Sequence, residues 1–242
     1  MRANEVQKTD QILNRISNNF INHKTFDNMS KSNDFTKKEL WDYFLQTFKE
    51  MYSKDFKQEN QATQNLAAIF YYFLGDDRFM NCTNLRKDIS VPSFGKGLLI
   101  IGGFGLGKTD YLKVFEKMFM NYPCLRFKFY TAKALVRQFE NCQTPMDKES
   151  FFKDTERSLM FIDDISSERL ASNYGHVDII EEVIINRYDK KLRTFASCNY
   201  TTNDNCAEQT LQDLGLRYGG RMFDRFHEMF NIIEFKGTSY RR

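Results

Sequence analysis

Apolar residues along this chain follow two rhythms, and the change between them falls near residue 95. In the first part the spacing is helical. Leu40, Trp41, Phe44, Leu45, Phe48 and Tyr52 recur three and four apart, which predicts a helix over about 36–56 with one aromatic face. Leu66, Ala67, Phe70, Tyr71 and Leu74 form a second stripe, closed by Gly75-Asp76-Asp77. Both stripes read as core-facing surfaces. A shorter amphipathic set, Ile12, Leu13, Ile16 and Phe20, is separated from them by the polar connector NMSKSNDF. That isolation marks it as the candidate for docking on a partner.

From Gly97 onward, continuous apolar runs alternate with helical ones. The runs are GLLII (97–101), LRFKFY (125–130), SLMFI (158–162), RTFASC (193–198) and NIIEF (231–235), with helices expected over about 108–121, 131–141, 177–190 and 207–226. Strands that are apolar throughout belong to a parallel sheet covered on both faces, so the fold class is α/β. The expected organisation is an N-terminal helix and linker (1–36), a helical region leading into the core (37–94) and an α/β core (95–242).

Composition narrows the setting. Hydrophobic residues make up 41% of the 242, including 24 Phe and 12 Tyr, enough for a sizeable core. Charge is 35 − 32 = +3, so any attraction to nucleic acid must be local. The five cysteines are odd in number and lack C-x-x-C spacing, which argues against a disulfide framework or zinc site and for a reducing cytoplasm. No apolar run is long enough to span a membrane, and the polar N-terminus lacks the apolar segment of a signal peptide.

Four of the chain's 12 glycines lie within Gly102–Gly107, between a strand and a helix. Gly102, Gly103, Phe104, Gly105, Leu106, Gly107, Lys108 and Thr109 match G-x-x-x-x-G-K-[ST], with Asp110 following. Glycines let such a loop turn its N–H groups inward on phosphate oxygens, and the helix start adds its positive end. Lys108 is then expected on the β- and γ-phosphates of ATP, and the Thr109 hydroxyl on Mg²⁺. The complementary acids follow the apolar strand SLMFI: Asp163 for the metal, Asp164 for deprotonating the attacking water. Asn199, at the tip of RTFASC, is suited to holding that water or reading the γ-phosphate.

Together, GGFGLGKT, FIDDISSERLASNYG, the helix ending INRY, SCNYTT, and RYGGRMFDRF followed by FKGTSYRR resemble the AAA+ ATPases of the DnaC/IstB type. These include bacterial and phage helicase loaders and transposition ATP-binding proteins. The resemblance covers about residues 95–242 and implies a three-layer P-loop AAA+ core without a full C-terminal helical lid. It implies Arg225, with Arg221 as runner-up, as a finger reaching a neighbouring subunit's ATP, and Arg241 as a sensor on the γ-phosphate of its own subunit. It also implies single-stranded DNA contacts at Phe139, Ser172 and Tyr174, with Lys133 and Arg137 nearby. Asp164 stands where many AAA+ proteins have Glu, so slow hydrolysis is expected.

The resulting expectation is a cytoplasmic ATPase, bacterial or acting in a phage host. It would assemble as a spiral or ring and help place a DnaB-type replicative helicase on single-stranded DNA. Three alternatives remain open at this point. They are an IstB-like transposition protein on double-stranded DNA, a small-molecule P-loop kinase, and a nucleotide-binding adaptor that scarcely turns over.

Overall fold

The computed structural model describes residues 34–122, 125–157, 159–173 and 175–240, together with Gln11, Leu13 and Asn14. Five strands form one parallel sheet: β1 (Gly97–Gly102), β2 (Phe127–Thr131), β3 (Leu159–Asp163), β6 (Thr194–Cys198) and β7 (Phe230–Phe235). Their spatial order is β2-β3-β6-β1-β7, and a two-stranded antiparallel hairpin, β4 (Ala171–Ser172) and β5 (His176–Val177), stands apart from the sheet. All five predicted strands are present within a few residues of their expected limits. At the start of β1 the chains approach so closely that a Cβ on Gly97 would lie 1.7 Å from the Thr194 carbonyl oxygen, so only glycine fits.

Helices cover both faces. On one side lie α1 (Asp34–Tyr52), α2 (Asn60–Leu74) and α3 (Lys108–Phe119). Their aromatic stripes interlock: Phe44 packs its ring against Phe70 at 5.5 Å and Phe115 at 5.4 Å, and Phe73 reaches Phe195 in the sheet at 5.6 Å. Leu98 and Ile100 of β1 face this cluster, whereas Leu99 and Ile101 face the opposite one. That alternation is the pleat of a strand buried on both sides. The region 37–94 therefore forms a layer of the core itself. Of the predicted N-terminal helix only the three residues named above are described, and Leu13 is buried in the same aromatic cluster.

The other face carries α4 (Ala132–Glu140), α5 (Pro145–Thr155), α6 (Ile179–Asp189), α7 (Ala207–Tyr218) and α8 (Gly220–Met229). Two differences from the expected pattern stand out. A helix unforeseen in the sequence, α5, is started by Pro145 and a reciprocal Thr144–Asp147 capping box. The single helix expected over 207–226 is broken at Gly219, whose φ of 91° no helix accommodates, giving α7 and α8. No helix among the described residues is long and apolar enough to cross a membrane.

Candidate nucleotide site

Strand order decides which residues meet. β6 lies between β1 and β3, so the carboxyl ends of all three sit side by side where connections leave the sheet in opposite directions. Such a switch point is where open α/β sheets bind ligands. The glycine-rich loop leaves β1 there, and Gly105 and Gly107 adopt φ of 77° and 82°, a left-handed turn that would strain other residues. The turn delivers Lys108 and Thr109 to the first turn of α3.

Lys108 is 7% exposed. Its Nζ donates to the carbonyl oxygens of Gly102 and Gly103 at 2.7 and 2.8 Å and to Asn199 Oδ1 at 2.9 Å. Asn199 Nδ2 in turn donates to Asp164 Oδ1 at 2.6 Å. One amide thus bridges the lysine of the loop and the second acid. Thr109 Oγ1 donates to Asp163 Oδ2 at 2.9 Å, linking the residues expected at the metal. The structure brings together Lys108, Thr109, Asp163, Asp164 and Asn199, which are separated by up to 91 residues in sequence.

Ser197 was not foreseen, and it organises both acids. Its Oγ donates to Asp163 Oδ1 at 2.6 Å and accepts from the Asp164 amide at 3.1 Å. Asp164 sits at φ 59°, a conformation rare for a side-chain-bearing residue and concentrated at functional sites. Burial pushes the Asp163 carboxyl above the ordinary aspartate value, and the neighbouring Asp164 charge adds to this. Hydrogen bonds from Ser197 and Thr109 and the Lys108 charge pull the other way. A buried anion of this kind is matched to a cation. The detectable signal was a serine in the buried strand TFASC, two residues before Asn199.

These groups line a cavity of about 450 Å³, within the usual range for a small-molecule site. Its far wall comes from an unforeseen place, the end of α1 and the turn after it, with Phe48 and residues 54–57. Tyr240, whose amide donates to Gly105 O at 3.0 Å, closes another side. Phe104 and Asp110 also line it, the Phe104 ring 73% exposed at the mouth.

A second unforeseen network lies beside the acids. Tyr218 Oη accepts from the Ser166 amide at 2.8 Å and donates to Glu168 Oε1 at 2.7 Å, while Arg217 pairs with the same carboxylate at 2.6 Å. It ties the turn after Asp164 to the end of α7, directly before the arginine-bearing α8.

Arg221 and Arg225 lie one turn apart on α8, and neither lines the cavity of its own chain. Arg221 is exposed. Arg225 rests 4.8 Å over the Tyr188 ring with Asp189 at 3.8 Å. Arg241 and Tyr174 lie outside the described residues. Lys133 and Arg137 are exposed on α4, and Ser172 is exposed on β4. The hairpin carrying Ser172 is tied to the end of α4 by Asn173 Nδ2, which donates to Phe139 O and Cys142 O at 3.1 and 2.9 Å. Phe139 itself corrects an expectation. It is 5% exposed, its ring packed against Phe151 at 5.6 Å and Phe152 at 6.1 Å, so no base can stack on it.

Comparison with known proteins agrees with this architecture. No protein-family profile matches the chain. The replicative helicase loader DnaI of Bacillus subtilis (strain 168) is 28% identical over 129 residues, which is 52% of this chain and 40% of DnaI. The crystal structure of the DnaC helicase loader superposes with a TM-score of 0.52 at 22% identity, covering 75% of this chain and 94% of that one. A crystal structure of DnaI gives 0.48 at 18% identity, covering 75% and 88%. The chain spans less than half the length of the curated relative it matches. In sequence over that stretch the chain is similar to the helicase loader DnaI, and in fold over three-quarters of its length it is similar to the DnaC helicase loader.

Proposed function

We propose that the chain is an ATPase that binds ATP at the tips of β1, β3 and β6 and serves as a loader for a replicative helicase on single-stranded DNA. The observation that carries the reading is the convergence of Lys108, Thr109, Asp163, Asp164 and Asn199 on one cavity. The residues fit a triphosphate. A helix N-terminus, a buried ammonium and left-handed glycines offer positive groups on one side, and two carboxylates stand on the other. Thr109 and Asp163 are the groups that would hold Mg²⁺, a hydroxyl beside a buried carboxylate. Bound there, Mg²⁺ would neutralise charge on the phosphate oxygens.

The chain's own residues then divide the work. Lys108 exchanges the Gly102 and Gly103 carbonyls and Asn199 Oδ1 for phosphate oxygens, which leaves Asn199 Oδ1 open. Asn199 remains bonded to Asp164 and is placed to orient a water against it. Asp164 accepts the proton of that water as it attacks the terminal phosphorus, and the bond to the leaving diphosphate oxygen breaks. Arg225 or Arg221 reaches the site of an adjacent copy, where a guanidinium offsets charge on the transferred group; hydrolysis thereby depends on assembly. Arg241, next to the cavity-lining Tyr240, is the proposed sensor of its own γ-phosphate.

Lys133, Arg137, Ser172 and Tyr174 are the proposed contacts to single-stranded DNA. Residues 1–36 are the proposed segment for docking on the helicase. Leu13 is buried in the chain's own core, so docking through that residue requires its release. The test is ATP turnover with and without single-stranded DNA and helicase, for the wild type and for Asp164→Asn. The reading predicts stimulated turnover that Asp164→Asn abolishes while ATP still binds. Turnover unchanged in that variant would remove Asp164 from the chemistry and favour a nucleotide-binding adaptor.

A further inference from the structure

A second concavity lies on the free edge of the sheet. β2 is the last strand on its side, and a groove of about 670 Å³ runs beside it, lined also by α3. An open strand edge ordinarily invites another strand. Here Glu116 of α3 hinders that, because its Oε1 accepts from the Phe129 amide at 2.9 Å and occupies the outward donor in the middle of β2.

What remains in the groove is positive charge. Lys113 and Lys117 stand one turn apart on α3, Arg126 immediately precedes β2 and Lys128 is its second residue. The two acids of the lining are already engaged, Glu116 by the Phe129 amide and Asp154 by Arg157 at 3.0 Å. None of the four cations has a carboxylate partner among the described residues. Lys117, Arg126 and Lys128 are exposed to solvent. Four uncompensated like charges in one concavity repel each other and concentrate anions there. A chain whose formal charge is only +3 has gathered them locally.

We propose that this groove holds the sugar–phosphate backbone of single-stranded nucleic acid. Phosphates suit it better than bases, because the aromatic rings of its lining, Phe127 and Tyr130, are buried, and Lys128 lies over the Tyr130 ring at 5.1 Å. An acidic peptide adding a strand is disfavoured by the occupied Phe129 amide. β2 also runs directly into α4, which carries the exposed Lys133 and Arg137 of the DNA surface proposed above. The inference rests on the single-strand reading and extends it to a second, sequence-independent stretch of the path.

The test uses the full chain and a fluorescent oligothymidylate, with affinity measured by anisotropy across a salt series. Each phosphate neutralised on a single strand contributes about 0.7 to the slope of log K against log salt. Lys117→Gln, Arg126→Gln and Lys128→Gln combined are expected to flatten that slope by about 2 and to weaken binding roughly a hundredfold at 0.1 M salt. ATP affinity should be unchanged, as none of the three lines the nucleotide cavity. If the wild type binds and the triple variant matches it in slope and affinity, the groove is not part of the path. A loss confined to duplex DNA would overturn the single-strand assignment. A wild type that binds no single strand even at low salt would bring down the DNA reading itself, whatever the groove variants do.

Discussion

Removing the Ser197 hydroxyl should disturb both acids at once. Ser197→Ala deletes a charge-assisted bond to Asp163 at 2.6 Å and the acceptor for the Asp164 amide at 3.1 Å, in a position only 1% exposed. The first is worth about 1.5–3 kcal/mol and the second about 1 kcal/mol, so the nucleotide-free protein should lose about 3 kcal/mol. For a chain of this size that lowers Tm by about 6–12 °C. The loss should also depend on pH. Burial already holds the Asp163 carboxyl above its ordinary value, and Ser197 opposes that by favouring the ionised form. Because the folded state binds the proton more tightly than the unfolded chain, stability declines as pH rises from the unfolded value through the raised folded one. Without Ser197 that window extends further upward. In acid the melting curves of wild type and variant should differ only by the share of the Asp164 amide, and they should separate further toward neutrality. Equal Tm values throughout, or a gap that does not change with pH, would show that Ser197 does not support an ionised Asp163.

Three other perturbations test neighbouring parts of the account. Asp163→Asn keeps the shape while removing a buried charge, so it should raise the Tm of the nucleotide-free chain at neutral pH and abolish any further rise on adding ATP with Mg²⁺; a lower Tm would contradict the burial argument. Tyr218→Phe leaves the Ser166 amide without a partner and Glu168 Oε1 with Arg217 alone, costing about 1–3 kcal/mol, and turnover should fall while ATP affinity is retained; a change in affinity alone would detach the network from Asp164. Phe44→Ala, at a fully buried ring, should cost about 3–5 kcal/mol in one cooperative denaturant transition; a separate early transition would mean that α1 and α2 fold independently of the sheet.

The parts of the site that depend on local spacing were legible in the sequence. Glycines ahead of a lysine and a hydroxyl, and two acids closing an apolar strand, declare their chemistry within a few residues. What joins them depends on which strands are neighbours, and no local pattern states that β6 separates β1 from β3. Ser197 and the wall formed by Phe48 and residues 54–57 were missed for that reason. Elsewhere the pattern was present but underweighted. Leu135, Val136 and Phe139 share a helical face, which places Phe139 in the core, and Thr144-Pro145 with Asp147 announces the start of α5. That helix buries little beyond Phe151 and Thr155, so its hydrophobic periodicity is faint. The break between α7 and α8 rests on two adjacent glycines, and the φ of Gly219 becomes visible only in the folded chain.

The most direct measurement is a subunit-mixing ATPase assay in the presence of single-stranded DNA. One protein carries Lys108→Ala and keeps its arginines; the other carries Arg221→Ala with Arg225→Ala and keeps its phosphate loop. Each should be inactive alone. Mixing them should restore turnover, because arginines of the first can complete the loop of the second. A mixture no more active than its components, or an arginine double variant that hydrolyses ATP like the wild type, would contradict a site completed by the adjacent copy.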